Sequence, residues 1–433
     1  MSATDPLVPR PERLDVYLSG TLVGQLEDRT LGFVALRFSP EAVEQFGAGA
    51  RVLSVGLPVS DVVVDPLDAT PFFAGLLPEG EARTRIAEEF RLSPSDTFGL
   101  LQAIGRECAG ALTIVPQGVR PGVPGKGEVR WLEEAELADV LRRLGDVPLG
   151  VTVDDDTIRL SLAGVQDKLP AVVDDDAVGL PEHGFPSTHI LKPGSSRRDR
   201  EGRLRFPDLV ENEAYCLALA GRLGVPTSVF RMLRVQGEAV LAVERFDRHR
   251  RGGLVERIHQ EDACQALGVP PESKYEAGGG PGLRAVADVI RNASAQPAAD
   301  RLSLFDRTVV NCLIGNAEAH AKNFAFLHEP DGVRLAPAYD LVSTAAYAHT
   351  DRLAMRVGGV ERIRDLDRDG VLQSGTDLAL PASISGRRLD ALLAHLGPAL
   401  EATLAVARAD GWYVERLDRI ASDIRTRARR FEP

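Results

Sequence analysis

Residues 311–340, NCLIGNAEAHAKNFAFLHEPDGVRLAPAYD, combine apolar runs with unusual polar residues more densely than any other stretch of the chain. An apolar helical segment opens the stretch, and a polar loop follows. Four polar or charged residues lie within six positions of that loop: Glu318, His320, Lys322 and Asn323. Two short apolar runs on either side of a Pro-Asp-Gly turn then predict a β-hairpin. The stretch therefore predicts a helix, a polar loop and a hairpin that leads to Asp340.

The spacing of these polar residues is that of a protein-kinase catalytic loop. Asn323 follows Glu318 by five positions, and the hairpin then leads to Asp340. In such a loop the first acid orients the attacking hydroxyl, while the Asn and the later Asp hold magnesium on the phosphates. On spacing alone, a polar loop between a buried helix and a hairpin accounts for the same residues equally well.

Composition limits the class of protein. The chain has 433 residues, is 44% hydrophobic and carries mixed charge, which is typical of a globular protein with two or three domains. No apolar run approaches the roughly 20 residues of a membrane span, and the first residues lack the pattern of a secretory signal. The four cysteines are far apart and predict reduced thiols in a cytoplasmic protein. The net charge of −12 disfavours broad, direct binding to nucleic acid.

Turn residues and hydrophobic periodicity divide the chain. Residues 1–116 predict an α+β module, with strands within residues 14–38, over 52–59 and over 111–115. Residues 117–130 are rich in proline and glycine and predict a linker.

A small-residue loop, residues 163–168, lies between two apolar, strand-like runs. Glycine and alanine let the backbone approach phosphate oxygens, so such a loop is able to cover a nucleotide. It lacks the GxxxxGK[ST] pattern and opens no helix, which excludes a Walker motif. An ordinary hairpin turn has the same pattern.

Three further segments contain candidate site residues. A strand over residues 188–191 delivers Lys192, which is either a phosphate-pairing lysine or a solvated strand end. A later helix begins with Glu211 and Glu213, and either glutamate is placed to face Lys192. The strand over residues 239–243 runs into a short connector with an aromatic residue, which is either an adenine-binding hinge or a charged strand end: Glu244, Arg245 and Phe246.

The order of these segments is that of a bilobal kinase, and their residues resemble the HipA-type serine/threonine kinases, the toxins of type II toxin–antitoxin operons. The resemblance covers residues 14–345. The matching stretches are LSVGLPV, FFAGLLPEG, GRECAGAL, SLAGVQDK, THILKP, ENEAYCLALAGRLGVP, AVERFDR, RIHQEDACQALG, KYEAGGGPG, LIGNAEAHAKNF and PAYD. The resemblance implies an α+β fold. The N-terminal module would be followed by a kinase N-lobe-like region over residues 131–250 and a largely helical C-lobe over residues 251–433.

The resemblance also implies roles for particular residues. Glu318 would be the catalytic base, and Ser161 the site of an inhibitory autophosphorylation. Magnesium would be held by Asn323 and Asp340. ATP would be bound by the loop residues Ala163, Gly164, Val165, Gln166, Asp167 and Lys168, by Lys192, by the hinge residues Glu244, Arg245 and Phe246, and by His320, Ala321, Lys322, Asn323, Tyr339 and Asp340.

The implied cofactors are ATP and Mg²⁺. The implied substrate is a serine or threonine of a protein, with an aminoacyl-tRNA synthetase of the glutamate–tRNA ligase type as the leading class, so that phosphorylation slows translation and growth. The implied partner is a HipB-like helix-turn-helix antitoxin that neutralises the toxin. DNA would be contacted mainly through this antitoxin.

One residue departs from the family pattern. The chain has Glu318 where the family has aspartate. The extra methylene moves the carboxylate by roughly 1 Å, and a misplacement of that size costs on the order of 10² in rate. The sequence therefore predicts a slow kinase. The alternative is an ATP-binding pseudokinase that acts as a co-repressor with the antitoxin.

Overall fold

The N-terminal module is an antiparallel sheet covered by helices. In this computed structural model the described residues are 10–122, 127–144, 149, 167–194, 204, 206–251, 254–347 and 351–433. The strands of the module are β1 (Arg13–Leu18), β2 (Thr21–Asp28), β3 (Val34–Phe38) and β4 (Leu112–Pro116), in the order β3-β2-β1-β4. Its helices are α1 (Pro40–Phe46), α2 (Pro66–Gly75), α3 (Gly80–Glu89) and α4 (Thr97–Ile104). Apolar side chains of these strands and helices form a separate core, and every residue of α4 is buried.

The strand predicted over residues 52–59 is wrong. The backbone there is irregular, although Leu53 and Leu57 are buried. Its polar groups have other partners, because the Ser54 hydroxyl and the Val55 amide both donate to the carboxylate of Glu261, far along the chain. The segment therefore joins the module to the rest of the molecule instead of extending the sheet.

A second sheet forms the middle of the chain. Its strands are β5 (Glu128–Trp131), β6 (Leu169–Asp174), β7 (Ala177–Glu182), β8 (His189–Pro193), β9 (Phe230–Val235) and β10 (Glu238–Glu244), in the order β5-β7-β6-β8-β10-β9. Two helices pack on it, α5 (Glu134–Arg143) and α6 (Leu209–Arg222). The first strand begins inside the predicted linker, so this sheet starts a few residues before residue 131.

The C-terminal part is mostly helical. Its helices are α7 (Ala263–Ala266), α8 (Leu283–Ala293), α9 (Pro297–Ile314), α10 (Arg368–Asp377), α11 (Ala382–Ala409) and α12 (Glu415–Arg429). Its strands are β11 (Arg248–Arg251), β12 (Leu254–Arg257), β13 (His259–Asp262), β14 (Ala325–Glu329), β15 (Gly332–Leu335), β16 (Arg352–Val357) and β17 (Val360–Arg362). The hairpin predicted after the polar loop is confirmed as β14 and β15, to which β13 adds a third strand. The predicted α+β class is also confirmed.

Helix α11, with 28 residues, is the longest of the described helices and lies in the region for which a largely helical C-lobe is expected. By length and composition alone it would be able to cross a membrane. One face of it is buried against other helices, with Leu389, Leu396 and Leu400 in the largest core of the molecule. A core helix passes the same test of length and composition.

A buried ionic cluster ties the N-terminal module to the second sheet. Glu107, in the loop after α4, accepts hydrogen bonds from Ser187, Arg245 and Arg248 at 2.8 to 3.3 Å. Asp247 pairs with the same two arginines. All these side chains are buried. Because an unpaired charge in such a place is costly, the cluster fixes the module against the sheet.

Candidate active site

A lysine and two carboxylates mark the site. Strand β8 delivers Lys192, whose ammonium lies 2.7 Å from the carboxylate of Glu213 and 3.5 Å from that of Asp340. Glu213 lies on the buried face of α6, whereas Asp340 follows the hairpin β14–β15. Three segments that are distant in sequence therefore meet at one cation.

Burial and neighbouring charges shift the pKa values of all three groups. Burial lowers the pKa of Lys192, but Glu213 and Asp340 outweigh it, so that pKa lies above its ordinary value. Burial raises the pKa of Glu213 in spite of Lys192. Partial removal from water would raise the pKa of Asp340, but Lys192 and Lys168 outweigh it and hold that pKa below its ordinary value.

Asp340 has an unusual backbone. Its φ of 56° lies in the left-handed region, which non-glycine residues rarely adopt. Its side chain is 42% exposed, although it lies beside the buried Lys192–Glu213 pair. Strained backbone held in place by its surroundings is frequent at functional sites. The conformation presents a carboxylate to solvent next to a buried cation.

The polar loop begins where α9 ends. Gly315, at φ 73°, terminates the helix, and Asn316 bonds back to Asn311 at 2.9 Å. The side-chain oxygen of Asn316 then accepts from the backbone amide of Glu318. This succession of caps turns the chain sharply and sets Glu318 on the loop.

Asn323 closes the loop on itself. Its amide nitrogen donates to the backbone oxygen of Glu318 at 3.1 Å, and the backbone amide of His320 donates to the same oxygen. Within the part of the chain that the structure describes, no protein group donates to the side-chain oxygen of Asn323. That oxygen and the carboxylate of Asp340 are the hard donors that Mg²⁺ prefers.

Lys322 points into the protein. Its ammonium lies 2.6 Å from Asp262 and 3.8 Å from Glu79, and it also donates to the backbone oxygen of Gly75. Its contacts therefore hold the loop from beneath, against the N-terminal module. Its predicted contact with ATP stays a prediction, as does that of its neighbour Ala321, which is buried.

His320 is buried beside these charges. Burial and the neighbouring Lys274 lower the pKa of His320 to about 4. Its imidazole is therefore neutral near pH 7.

The predicted hinge divides between two environments. Glu244 is exposed at the end of β10, while the guanidinium of Arg245 is committed to the buried cluster around Asp247 and Glu107. Phe246 packs against Tyr339 with ring centroids 5.4 Å apart. The Tyr339 hydroxyl in turn donates to the backbone oxygen of Lys322 at 2.6 Å. Phe246 and Tyr339 thus join the hinge to the polar loop, and Arg245 joins it to the N-terminal module.

Most of the small-residue loop lies outside the described residues. This applies to Ala163, Gly164, Val165 and Gln166, and also to Ser161. Asp167 and Lys168 are described, and they lead directly into β6. Burial and repulsion from Lys192 lower the pKa of Lys168 to about 8. The end of this loop therefore lies in the electrostatic field of the site.

The sequence indicates no catalytic or nucleotide-binding role for two residues near the site. Glu79, from the module, contacts Lys274 at 2.7 Å as well as Lys322. Tyr275 donates its hydroxyl to the carboxylate of Glu318 at 2.7 Å. The segments FFAGLLPEG and KYEAGGGPG indicated only a resemblance, because spacing along a chain does not show which remote carboxylate a lysine or tyrosine will meet.

Comparisons with known proteins agree with this architecture. The pattern of the HipA N-terminal domain matches residues 14–115, and that of the HipA-like C-terminal domain matches residues 160–400. The protein Y4mE of Sinorhizobium fredii is 38% identical over 82% of this chain and 83% of its own. The serine/threonine-protein kinase toxin HipA of Shewanella oneidensis is 30% identical over 79% of this chain and 78% of its own.

A solved structure extends the likeness to the fold. A chain in the Shewanella oneidensis MR-1 toxin–antitoxin complex of HipA, HipB and operator DNA has a TM-score of 0.80 at 26% identity. The match covers 96% of this chain and 97% of that one. The matches run through both the N-terminal module and the part that carries Lys192, Asn323 and Asp340. The chain therefore belongs to the family of HipA-like kinases.

Proposed function

We propose that this chain transfers the γ-phosphate of ATP to a serine or threonine of another protein, with Mg²⁺ as the metal. The observation that carries the proposal is the position of Lys192, between the buried Glu213 and the partly exposed Asp340. A lysine held by a helix glutamate, next to a metal-binding aspartate, is the arrangement that active protein kinases need. The family membership supports the same activity.

Different side chains would bind the phosphates and the magnesium ion. Lys192 would pair with phosphate oxygens, and Glu213 would hold it in place. Asn323, through its side-chain oxygen, and Asp340 would hold magnesium, and their donor atoms fit that ion. ATP with magnesium supplies the phosphoryl group and neutralises the charge that develops on it.

Glu318 would orient the attacking hydroxyl and accept its proton. A general base contributes typically 10²–10⁴ in rate, and much of phosphoryl transfer depends on metal and positioning. A longer side chain in this place is therefore compatible with a slow kinase.

The family resemblance supports a proposal for the substrate and for the partner. An aminoacyl-tRNA synthetase of the glutamate–tRNA ligase type is the first substrate to test, and its phosphorylation would slow translation and growth in the cytoplasm. The Shewanella relative forms a complex with HipB and operator DNA. By analogy, a helix-turn-helix antitoxin would neutralise this chain and bring it to DNA.

The test is a transfer assay with radiolabelled ATP, the purified chain and a cell extract, with every phosphorylated protein then identified by mass spectrometry. Wild type should label at least one acceptor, and Asp340→Asn should abolish the labelling. Mg-ATP should also raise the melting temperature of the wild type through mass action. Absence of labelling by the wild type would refute the proposal, and absence of a magnesium-dependent shift as well would also exclude the binding of Mg-ATP.

A pseudokinase is the second candidate, and Glu318 is the observation that favours it. In that function the chain binds Mg-ATP, transfers no phosphate, and acts as a co-repressor with the antitoxin. A magnesium-dependent thermal shift without any transfer by the wild type would support it. Transfer above the Asp340→Asn background would exclude it.

A further inference from the structure

The loop KYEAGGGPG, residues 274–282, reaches the carboxylate of Glu318. The hydroxyl of Tyr275 donates to Oε2 of Glu318 at 2.7 Å. Tyr275 is 37% exposed, so burial of its ring alone does not explain its place. Its hydroxyl contacts Glu318, the residue of the polar loop that departs from the family pattern.

The glycines of this loop fix the backbone at Tyr275. The amides of Gly278 and Gly280 both donate to the backbone oxygen of Tyr275 at 3.0 Å. A Cβ at Gly280 would lie 1.9 Å from the backbone oxygen of Ser273 and 2.8 Å from that of Tyr275. Only glycine permits so close an approach. The loop is therefore built tightly around the residue that contacts Glu318.

Two neighbours hold the ring of Tyr275. His320 packs against it at nearly a right angle, with centroids 5.4 Å apart, and the ammonium of Lys274 lies 5.6 Å from the ring centroid. Lys274 is in turn held at 2.7 Å by Glu79 of the N-terminal module. The phenol is thus braced from both the polar loop and the module.

The phenol is a donor at neutral pH. Partial burial and the carboxylate of Glu318 raise the pKa of Tyr275 above its ordinary value, so it stays protonated. A carboxylate has two oxygens, and the phenol engages only Oε2 of Glu318. A glutamate has one more rotatable bond than an aspartate and therefore has more freedom to lose before its carboxylate is fixed.

We infer that Tyr275 is a positioning residue, which anchors one carboxylate oxygen of Glu318 so that the other faces the hydroxyl of the substrate. The inference rests on the proposed kinase function. Tyr275 restricts the longer side chain of Glu318. A fixed carboxylate offsets part of the rate that is lost to the extra methylene. The segment KYEAGGGPG thereby has a role in the reaction itself.

The test compares Tyr275→Phe with Tyr413→Phe in the full-length chain, using radiolabelled Mg-ATP and the first acceptor identified in the transfer assay. Tyr413 is a matched control, because its hydroxyl also donates to a carboxylate, that of Asp418, in the C-terminal helices. We expect Tyr275→Phe to lower kcat by about tenfold or more, with the Kd for Mg-ATP changed by less than about twofold. Tyr413→Phe should leave kcat unchanged.

A second background separates positioning from folding. An aspartate at position 318 is one methylene shorter and should hold the Tyr275 hydroxyl less well. In the Glu318→Asp protein the change Tyr275→Phe should therefore lower kcat by a smaller factor than it does in the wild type. An equal loss in both backgrounds would indicate a structural role and overturn the inference.

The remaining outcomes are also decisive. Wild-type kcat, or a higher kcat, in Tyr275→Phe would overturn the inference alone and leave the proposed function intact. Absence of transfer by the wild type would overturn the proposed function and the inference together.

Discussion

At the scale of single residues, the choice between Glu211 and Glu213 shows how burial selects a partner. The two glutamates lie two positions apart on α6 and therefore face different sides of the helix. Glu213 is 1% exposed and bonds to Lys192, whereas Glu211 is only partly buried and is not its partner. The sequence does not show which of the two glutamates pairs with Lys192, because their charge and helix propensity are the same.

The pair gives a matched experiment. Glu213→Gln removes the buried countercharge of Lys192, whose ammonium is then drawn toward Asp340 at the expense of the metal. A hydrogen bond between charged groups contributes about 1.5–3 kcal/mol, so we expect the Kd for Mg-ATP to rise by roughly 10- to 100-fold. Titration calorimetry measures this change.

Glu211→Gln is the control and should bind Mg-ATP like the wild type. Equal affinities for the wild type and Glu213→Gln would contradict the role of the Lys192–Glu213 pair.

At the scale of elements, local patterns predict those parts whose partners are close in sequence. The hairpin β14–β15 follows from its Pro-Asp-Gly turn, and α1 follows from Ser39 and Pro40 at its start. Residues 52–59 show the limit. Their apolar pattern is strand-like, but Ser54 and Val55 bond to Glu261, and no local rule shows a partner two hundred residues away.

The site likewise contains residues that local sequence predicts and residues that it does not. The polar loop and Lys192 can be found from spacing, whereas Glu79 and Tyr275 act through contacts between remote segments. Arg245 is a residue whose position in the sequence predicts a hinge, but the sequence does not show that its guanidinium is buried beside Glu107.

The Glu107 cluster is the element that joins the module to the second sheet, and it is open to a direct test. Glu107→Gln leaves Arg245 and Arg248 with one buried acid, Asp247, between them. Breaking a buried charge network in this way costs roughly 3–5 kcal/mol of unfolding free energy. Chemical denaturation should show this loss, whereas the exposed Glu41→Gln in α1 should lose little. A wild-type denaturation midpoint for Glu107→Gln would mean that the arginines find other partners.

At the scale of the whole molecule, three buried histidines make stability depend on pH. Burial, more than any neighbouring charge, lowers the pKa of His259 to about 3 and those of His189 and His320 to about 4. Each binds a proton in the unfolded chain near its ordinary pKa of about 6.5 but not in the folded one. Stability is therefore fully present above pH 6.5 and falls as the pH drops toward 4, by at most about 1.4 kcal/mol per pH unit for each histidine.

Urea denaturation between pH 7 and pH 5 measures this slope above the range in which most carboxylates protonate. His259→Gln should reduce the slope, because it removes a group that binds a proton only in the unfolded chain. A midpoint that stays constant over this range would show that the histidines protonate without unfolding.

The charge of the whole chain bears on its relation to DNA. With a net charge of −12 the molecule is repelled by phosphates at long range, although single basic side chains are exposed, such as Arg250 and Arg251 on β11. Affinity for DNA depends on how many phosphates a protein neutralises, and it then falls steeply with salt. We therefore expect the isolated chain to bind operator DNA weakly, and its complex with a basic antitoxin to bind tightly. Fluorescence anisotropy at several salt concentrations measures both. Tight, strongly salt-dependent binding by the isolated chain would instead require a basic surface of its own, large enough to overcome the net repulsion.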